Sequence, residues 1–283
     1  MTRLSPLLFV AACASTPSVT PDEAALRRSE ASAAYDREDW ATCARADLLA
    51  ARGPNRPLEA LYEAATCQAR GGDRDGAFAS LGRAVDRGFI ELGFVQADPD
   101  FASLHGDPRW ATILARIERA PRRGHTNAEL ERIYVDDQLD RAGPFEKLDM
   151  TKVVERDRIR RARTVAIVDG GGATTSLDYL HAAFVFQHGD GVSDFERAHE
   201  LAKRAAELDP EDDTAFWLAA AAKDRALMTA GKPQWYGTQF NVEGGKWTLY
   251  QVDPSITDAE RARWKVPPLA QAKRRAEIMS QKR

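Results

Sequence analysis

The sequence has little cysteine, no marked excess of one charge and no long apolar run. Its 283 residues include three cysteines, and 40 Lys+Arg face 43 Asp+Glu, which gives a formal net charge of −3. This balance argues against an acidic disordered chain and against a dedicated nucleic-acid-binding protein. No uninterrupted apolar stretch approaches the roughly 20 residues of a membrane-spanning helix, which excludes a polytopic membrane protein. We expect a folded chain of about two domains.

Common nucleotide-binding and hydrolase motifs are also missing. An apolar run at residues 164–169 leads into Gly170-Gly171-Gly172, but neither GxGxxG nor GKS/GKT follows it, and GxSxG is absent. The run itself fits a strand or a helix. The spacing of Val154, Ile159, Val165 and Val168 favours a helix that ends at the glycines.

The first residues have the plan of a lipoprotein signal peptide, assigned to residues 1–12. Arg3 precedes a short apolar run that ends in small residues at Cys13. The segment VAAC at 10–13 resembles the lipobox of bacterial lipoproteins, which implies cleavage before Cys13 and acylation of its thiol. Residues 13–22 are small, polar and proline-containing, as a tether would be. Because residue 14 is not Asp, the resemblance implies the outer membrane, with the lipid as the only membrane contact.

With Cys13 assigned to lipid, Cys43 and Cys67 remain as an even pair. An exported protein lies in an oxidising compartment, where such a pair can form a disulfide. Two buried free thiols that fill small core positions are the alternative. Spacing alone does not decide between them.

Residues 23–120 show helical periodicity in short segments that are separated by glycine, proline and aspartate. The run AATCQARGGDRDGAFASLGRAV at 64–85 resembles the tetratricopeptide repeat, in which small residues face a turn and Ala and Phe fix the second helix. The resemblance implies a short array of helical pairs, which either serves as a packing scaffold or contacts a protein partner. Asp98-Pro99 and Asp107-Pro108 each place a proline behind an aspartate cap and predict short closing helices.

The polar segment at 121–136 is predicted to be a linker, and residues 137–283 are predicted to form a second helical domain. Its helices are expected at about 177–188, 194–208 and 214–230. Residues 234–241 and 246–252 are rich in aromatic and β-branched residues and flank Gly244-Gly245, which predicts one small β-hairpin. Thr257 and Glu260 predict a capping box for a last helical section. The expected fold class is therefore mainly α: a short tetratricopeptide-like array followed by a helical domain with one hairpin.

Polar residues in this second domain occur where apolar ones would be expected. Two helices that look buried carry such groups, and the hairpin follows a segment crowded with amides and hydroxyls. Buried polar groups are costly unless they are paired, so their clustering suggests a site. The candidate pocket residues are His181, Gln187, His188, Asp224, Arg225, Gln234, Tyr236, Thr238 and Gln239.

The same residues carry a second resemblance. DQ at 137–138 with Arg141, FQH at 186–188, KDR at 223–225 and PQWYGTQ at 233–239 are similar to a widespread bacterial domain of unknown function marked by a YGTQ motif. The similarity spans residues 137–269, about half of the chain. It implies a mainly helical domain, often found in exported or repeat-containing proteins, and no established reaction.

Two classes of function remain open from the sequence. The first is an envelope-anchored binding or scaffold lipoprotein. The second is a hydrolase- or transferase-like enzyme in which His188, oriented by Asp224, acts as a general acid/base while Arg225 and the amides hold an anionic or carbonyl-bearing ligand. A purely structural polar network is the alternative to such a site. No cofactor and no metal are expected, because His181, His188, Asp190 and His199 lack the spacing of a helical metal pair.

Overall fold

The computed structural model describes residues 19–53, 56–120, 124–141 and 148–280. The predicted signal peptide and Cys13 therefore lie outside the described residues. The described part of the chain is mainly helical and contains one small antiparallel hairpin, as the sequence predicts. No helix in this part combines the length and the apolar character needed to cross a membrane. The elements in chain order are α1 Pro21–Asp36, α2 Trp40–Ala50, α3 Pro57–Arg70, α4 Arg74–Asp86, α5 Leu92–Ala97, a 3-10 helix Pro99–Leu104, α6 Pro108–Glu118, α7 Ala128–Leu139, α8 Met150–Asp169, α9 Ser176–Gln187, α10 Val192–Leu208, α11 Asp213–Thr229, β1 Phe240–Glu243, β2 Lys246–Leu249, α12 Asp258–Arg263 and α13 Leu269–Ser280.

Short polar residues set the starts of these helices. The side chains of Asp39 and Asp73 accept hydrogen bonds from backbone amides three residues later and begin α2 and α4. Asp98 and Asp107 accept from amides two residues later and cap the 3-10 helix and α6, each of which opens with a proline. Because each cap satisfies amides that lack a partner inside the helix, the connections between helices can be short.

Helices α1 to α4 form the N-terminal array. Each packs against the next along the chain, and small residues such as Ala34, Ala60 and Ala65 are fully buried where the helices meet. A disulfide joins Cys43 of α2 to Cys67 of α3, with their Cα atoms 5.9 Å apart. A second apolar core, around Phe78, Phe101 and Ile117, joins the array to the 3-10 helix and α6. This core closes the array on the side of α4.

The largest apolar core belongs to the C-terminal half. Helices α9, α10 and α11 pack in sequence, and their alanine-rich faces bury Leu180, Ala202, Leu218 and Ala219. The run at 164–169 lies in α8, so the strand alternative is not adopted. The glycines that follow end α8, where the amide of Gly172 donates to the carbonyl of Ile167 at 2.8 Å.

Two predicted boundaries differ from the structure. Helix α7 begins at Ala128, inside the segment 121–136 that the sequence assigns to a linker. Asn127 caps it, and Leu130 and Ile133 join the C-terminal core, an apolar signal that the polar surroundings obscure. Strand β1 begins at Phe240 rather than near residue 234, because residues 234–239 form a hydrogen-bonded loop. The hairpin turn is Gly244-Gly245, with φ of 56° and 80°, as a two-residue turn requires.

The two halves of the chain contact each other. The last helix, α13, packs against α1 and against β2. The guanidinium of Arg56 lies 4.4 Å from the centre of the Trp217 ring, and Glu59 accepts a hydrogen bond from Thr214. These contacts bring the start of the array beside the C-terminal end of the chain, where the site described below is located.

Candidate functional site

The buried carboxylate of Asp224 on α11 is the centre of the polar residues that the sequence singled out. It is fully buried and accepts four hydrogen bonds, from the amides of Trp235, Tyr236 and Thr238 at 2.7–2.9 Å and from the Thr238 hydroxyl at 2.8 Å. Burial raises the pKa of Asp224, and these hydrogen bonds act in the opposite direction. Its accepting capacity is used to hold loop 234–239 against α11.

Gln234 and Gln239 join the two ends of that loop. The Gln234 side chain accepts from the Gln239 amide at 2.9 Å and donates to the carbonyls of Gln239 and Tyr250. The Gln239 side chain accepts from Arg225 Nε at 3.2 Å and donates to the carbonyl of Ala221. Both amides are therefore satisfied inside the protein. We call Asp224, Arg225 and residues 234–239 the Asp224 cluster.

Arg261 of α12 holds the outer side of the same loop. Its side chain is 2% exposed and donates to the carbonyls of Tyr236, Trp235 and Ile256 at 2.7–3.2 Å. Gly237 completes the loop with φ of 88°, and a Cβ at this position would lie 3.4 Å from Leu269 Cδ1. Only glycine adopts this backbone without strain. Arg261 is a structural member that the sequence reasoning missed, because an arginine on a charged helix gives no sign of burial.

His188 pairs with a carboxylate, but not with the one expected. Its Nδ1 lies 2.8 Å from Asp137 Oδ2 on α7, whereas Asp224 is bonded to the loop. Asp137 also accepts from Arg141 at 3.1 Å, and Arg141 reaches Asp157 on α8. The proposed orientation of His188 by Asp224 is therefore wrong for this structure. The His188 side chain keeps 21% of its surface exposed.

Gln187 and His181, the two candidate residues on α9, lie in different surroundings. The backbone carbonyl of Gln187 accepts from Arg225 at 2.7 Å, which joins the His188 region to the Asp224 cluster. His181 lies apart from both. It is fully buried, stacks on Tyr134 and places Nε2 2.8 Å from Glu91. The structure thus brings together eight of the nine candidate residues and leaves out His181.

The Asp224 cluster has few polar groups left to bind or react with a ligand. In the Asp224 cluster the donors and acceptors bond to one another or to backbone groups, and burial raises the pKa of Tyr236 to about 12. Among the described residues, the metal-like grouping of side chains is Cys43, Asp47 and Cys67, in which both sulfurs are taken by the disulfide. The cluster reads as a structural network that fixes the loop on α11.

A cavity of about 360 Å³ lies beside this loop, between it, α1, the start of α3 and α13. Its volume falls at the small end of the range for small-molecule sites. We call it the cationic cavity, because basic groups dominate its charged lining. Its charged residues are Arg28, Arg56, Glu63, Lys265, Arg274 and Arg275, and its larger apolar ones are Leu26, Trp217, Phe240, Val266, Ile278 and Met279.

Two of the cavity's cations are held in place by carboxylates and by an unusual backbone. Arg56 Nε lies 3.0 Å from Glu59, and Lys265 Nζ lies 2.9 Å from Asp213. Although burial alone would raise it, the charges of Arg56 and Arg28 lower the pKa of Glu59 to about 2. Arg56 and Lys265 also have φ of 50° and 56°, which is unfavourable for residues with a side chain. Such strain is most often kept at functional sites.

The remaining cations are less well compensated. Within the described ranges, neither Arg274 nor Arg275 has a carboxylate at ion-pair distance, and the Arg275 guanidinium lies 5.4 Å from the Phe240 ring. Arg275 is exposed to solvent in the cavity. Arg28 lies 3.8 Å from Glu59 through one terminal nitrogen, but its Nε is buried without a hydrogen-bond partner. The cavity therefore has an excess of positive charge.

Comparison with protein-family models, curated proteins and solved structures finds no match. The site has to be interpreted from its own geometry. Sequence reasoning missed the cationic cavity, because its members come from five separate parts of the chain and no short motif contains them. The signal that could have found it is the proline-interrupted basic segment after α12.

Proposed function

We propose that this protein is an envelope-anchored binding lipoprotein, and that the cationic cavity is its binding site. One observation carries the binding function. The members of the Asp224 cluster are bonded to one another and to backbone groups, whereas the cavity beside them is lined by cations and aromatic rings whose interactions are incomplete. Both halves of the chain line it, so a bound molecule would contact Arg28 and Arg56 together with Trp217 and Arg275. A ligand at this position would link the two halves.

Filling the cavity tests this proposal. Ala25 of α1 lines it, so Ala25→Trp should occupy its space. A compound that binds the wild type should raise its melting temperature, since a ligand at 100 times its Kd stabilises by about 2.7 kcal/mol. The filled variant should not respond, whereas Ala111→Trp on the exposed surface of α6 should respond like the wild type. Equal responses in both variants would place binding elsewhere.

The membrane anchor is a separate part of the proposal. It rests on the VAAC segment at 10–13 and on the polar tether that follows. Cys13→Ser should release the protein from the membrane fraction and leave an unprocessed precursor. If the variant fractionates and migrates like the wild type, the anchor is refuted. We also propose the bacterial outer membrane as the location.

The N-terminal array is the proposed surface for a protein partner. Helix α13 packs against α1, and the surface proposed for the partner is on α2. A recess there, lined by Trp40, Leu48 and Leu49, offers apolar contact area. A cross-linkable residue at Leu49 should capture one partner in envelope fractions, and Leu48→Glu should abolish that capture. Retention of the product in the variant would argue against this surface.

An enzymatic function is the second candidate, and the His188–Asp137 pair favours it. A carboxylate that holds one nitrogen of a partly exposed histidine is a common arrangement for a general base. If the protein hydrolyses an ester or transfers a group, His188→Ala should remove that activity and leave the fold intact. An activity that survives this change would not use the pair.

A further inference from the structure

The cationic cavity combines two surfaces that together define a ligand class. One part of its lining is basic, with Arg28, Arg56, Arg274 and Arg275, and the other is apolar, with Trp217 and Phe240. Among the described lining residues, the one carboxylate is Glu63. It is exposed and has no arginine or lysine of the described chain at ion-pair distance. A neutral apolar ligand would leave the cations uncompensated, and a small hydrated anion would leave the rings in contact with water.

We propose that the cavity binds a small organic anion with an aromatic or aliphatic body and a single carboxylate, sulfonate or phosphate group. This inference rests on the proposed binding function and names its ligand class. Arg275 and Arg28 would hold the anionic group, because the first has no carboxylate partner among the described residues and the second has a buried Nε without an acceptor. Trp217 and Phe240 would contact the body of the ligand.

The internal ion pairs of the cavity support this assignment. Arg56 is already bonded to Glu59 and lies against the Trp217 ring, so it orients the ring more than it offers free donors. Lys265 is bonded to Asp213. Arg275 differs, since it has no carboxylate at ion-pair distance among the described residues and lines the same cavity as Arg56 and Arg28. An anion beside Arg275 would be attracted by all three guanidinium groups.

The volume limits the source of the anion. About 360 Å³ suits a small molecule, and a two-chain lipid does not fit a space of this size. We therefore assign the ligand to free small organic anions rather than to membrane lipids. Vesicles of anionic phospholipid serve as the arm of the experiment that separates the two sources.

Two fluorescent probes test the inference on the full chain that carries Cys13→Ser, which has no acylation site at residue 13. The anionic probe is 1-anilinonaphthalene-8-sulfonate, and the neutral probe of similar shape is N-phenyl-1-naphthylamine. The wild type should bind the anionic probe, and Arg275→Gln should weaken that binding about tenfold or more, which is the loss expected for a hydrogen bond to a charged group. Lys273→Gln is the matched control, because Lys273 lies on the same helix, is exposed and does not line the cavity.

Each outcome has a defined meaning. Loss of the anionic probe in Arg275→Gln but not in Lys273→Gln, with the neutral probe unaffected, supports the inference. Equal binding of the anionic probe by wild type and Arg275→Gln overturns it. If only the neutral probe binds and Ala25→Trp abolishes that binding, the anionic ligand class is overturned and the proposed binding function is kept. Binding of neither probe refutes both, and binding only to anionic vesicles overturns the assignment to small molecules.

Discussion

The Asp224 cluster and the N-terminal array treat their buried charges in opposite ways. Asp224 accepts four hydrogen bonds. In the array, one oxygen of the buried Asp47 carboxyl has no hydrogen-bond partner, and the buried Nε of Arg28 has none either. Burial and the charge of Glu63 raise the pKa of Asp47 to about 9. The first region uses its polar groups to define a conformation, while the second keeps groups whose electrostatic needs are unmet.

Whether polar groups are satisfied inside the protein distinguishes a structural network from a candidate binding site better than residue type does. A histidine, an arginine and several amides in one place suggest a catalytic site, yet here most of their bonds are made internally. The basic residues near α13 attract less notice in the sequence, yet they line a cavity without full compensation. Unmet interactions are therefore the better guide to where a ligand binds.

Removal of the Asp224 carboxylate should have the largest effect. Asp224→Ala leaves three backbone amides and the Thr238 hydroxyl without an acceptor, so we expect a loss of about 3 to 5 kcal/mol in the free energy of unfolding. Denaturant unfolding measures it. Asp169→Ala is the control, because Asp169 is exposed and its ion pair with Arg197 lies on the surface; a loss of less than about 0.5 kcal/mol is expected there. Similar small losses in both variants would contradict a structural role for the cluster.

Removal of the Asp47 carboxylate should have the opposite effect, a gain in stability that depends on pH. Its pKa is raised to about 9 in the folded protein and is about 3.9 in an unfolded chain. The folded state therefore keeps a proton that the unfolded state loses, so wild-type stability falls as pH rises between these values. Asp47→Asn removes this titration. We expect the variant to gain about 1 to 3 kcal/mol relative to wild type between pH 5 and pH 8, measured by urea unfolding; parallel pH curves would refute it.

A change to the backbone conformation of loop 234–239 should have a smaller effect on the free energy of unfolding. Gly237→Ala places a side chain at φ of 88° and within 3.4 Å of Leu269, and we expect a loss of about 1 to 2 kcal/mol. Gly106→Ala is the control, since a Cβ there meets nothing within 4 Å. Thermal unfolding compares the two. An equal response would mean that the loop relaxes and that its conformation is not fixed by the Asp224 cluster.

Most of the fold could be predicted from the sequence because its signals are local. The Thr257 cap, whose hydroxyl accepts from the Glu260 amide, the turn Gly244-Gly245 and the apolar spacing of α10 each determine a conformation within a few residues. The reciprocal bond of the predicted capping box does not form, because the Glu260 side chain accepts from Arg263 and Trp264. The sequence also singled out six residues that the structure places in the Asp224 cluster: Asp224, Arg225, Gln234, Tyr236, Thr238 and Gln239. It could not show that His188 meets Asp137 rather than Asp224, nor that Arg56, Trp217 and Arg275 meet, because these contacts depend on how distant helices pack.

One paired measurement tests the division between the two regions most directly. Gln239→Leu removes a buried amide of the Asp224 cluster, and Arg275→Gln removes a cation of the cavity; unfolding free energy and the affinity for 1-anilinonaphthalene-8-sulfonate are measured for both. We predict that Gln239→Leu loses about 1 to 3 kcal/mol of stability and keeps its affinity. Arg275→Gln should keep its stability within about 0.5 kcal/mol and lose about tenfold in affinity. If Gln239→Leu loses affinity with unchanged stability, or Arg275→Gln loses stability with unchanged affinity, the division is contradicted.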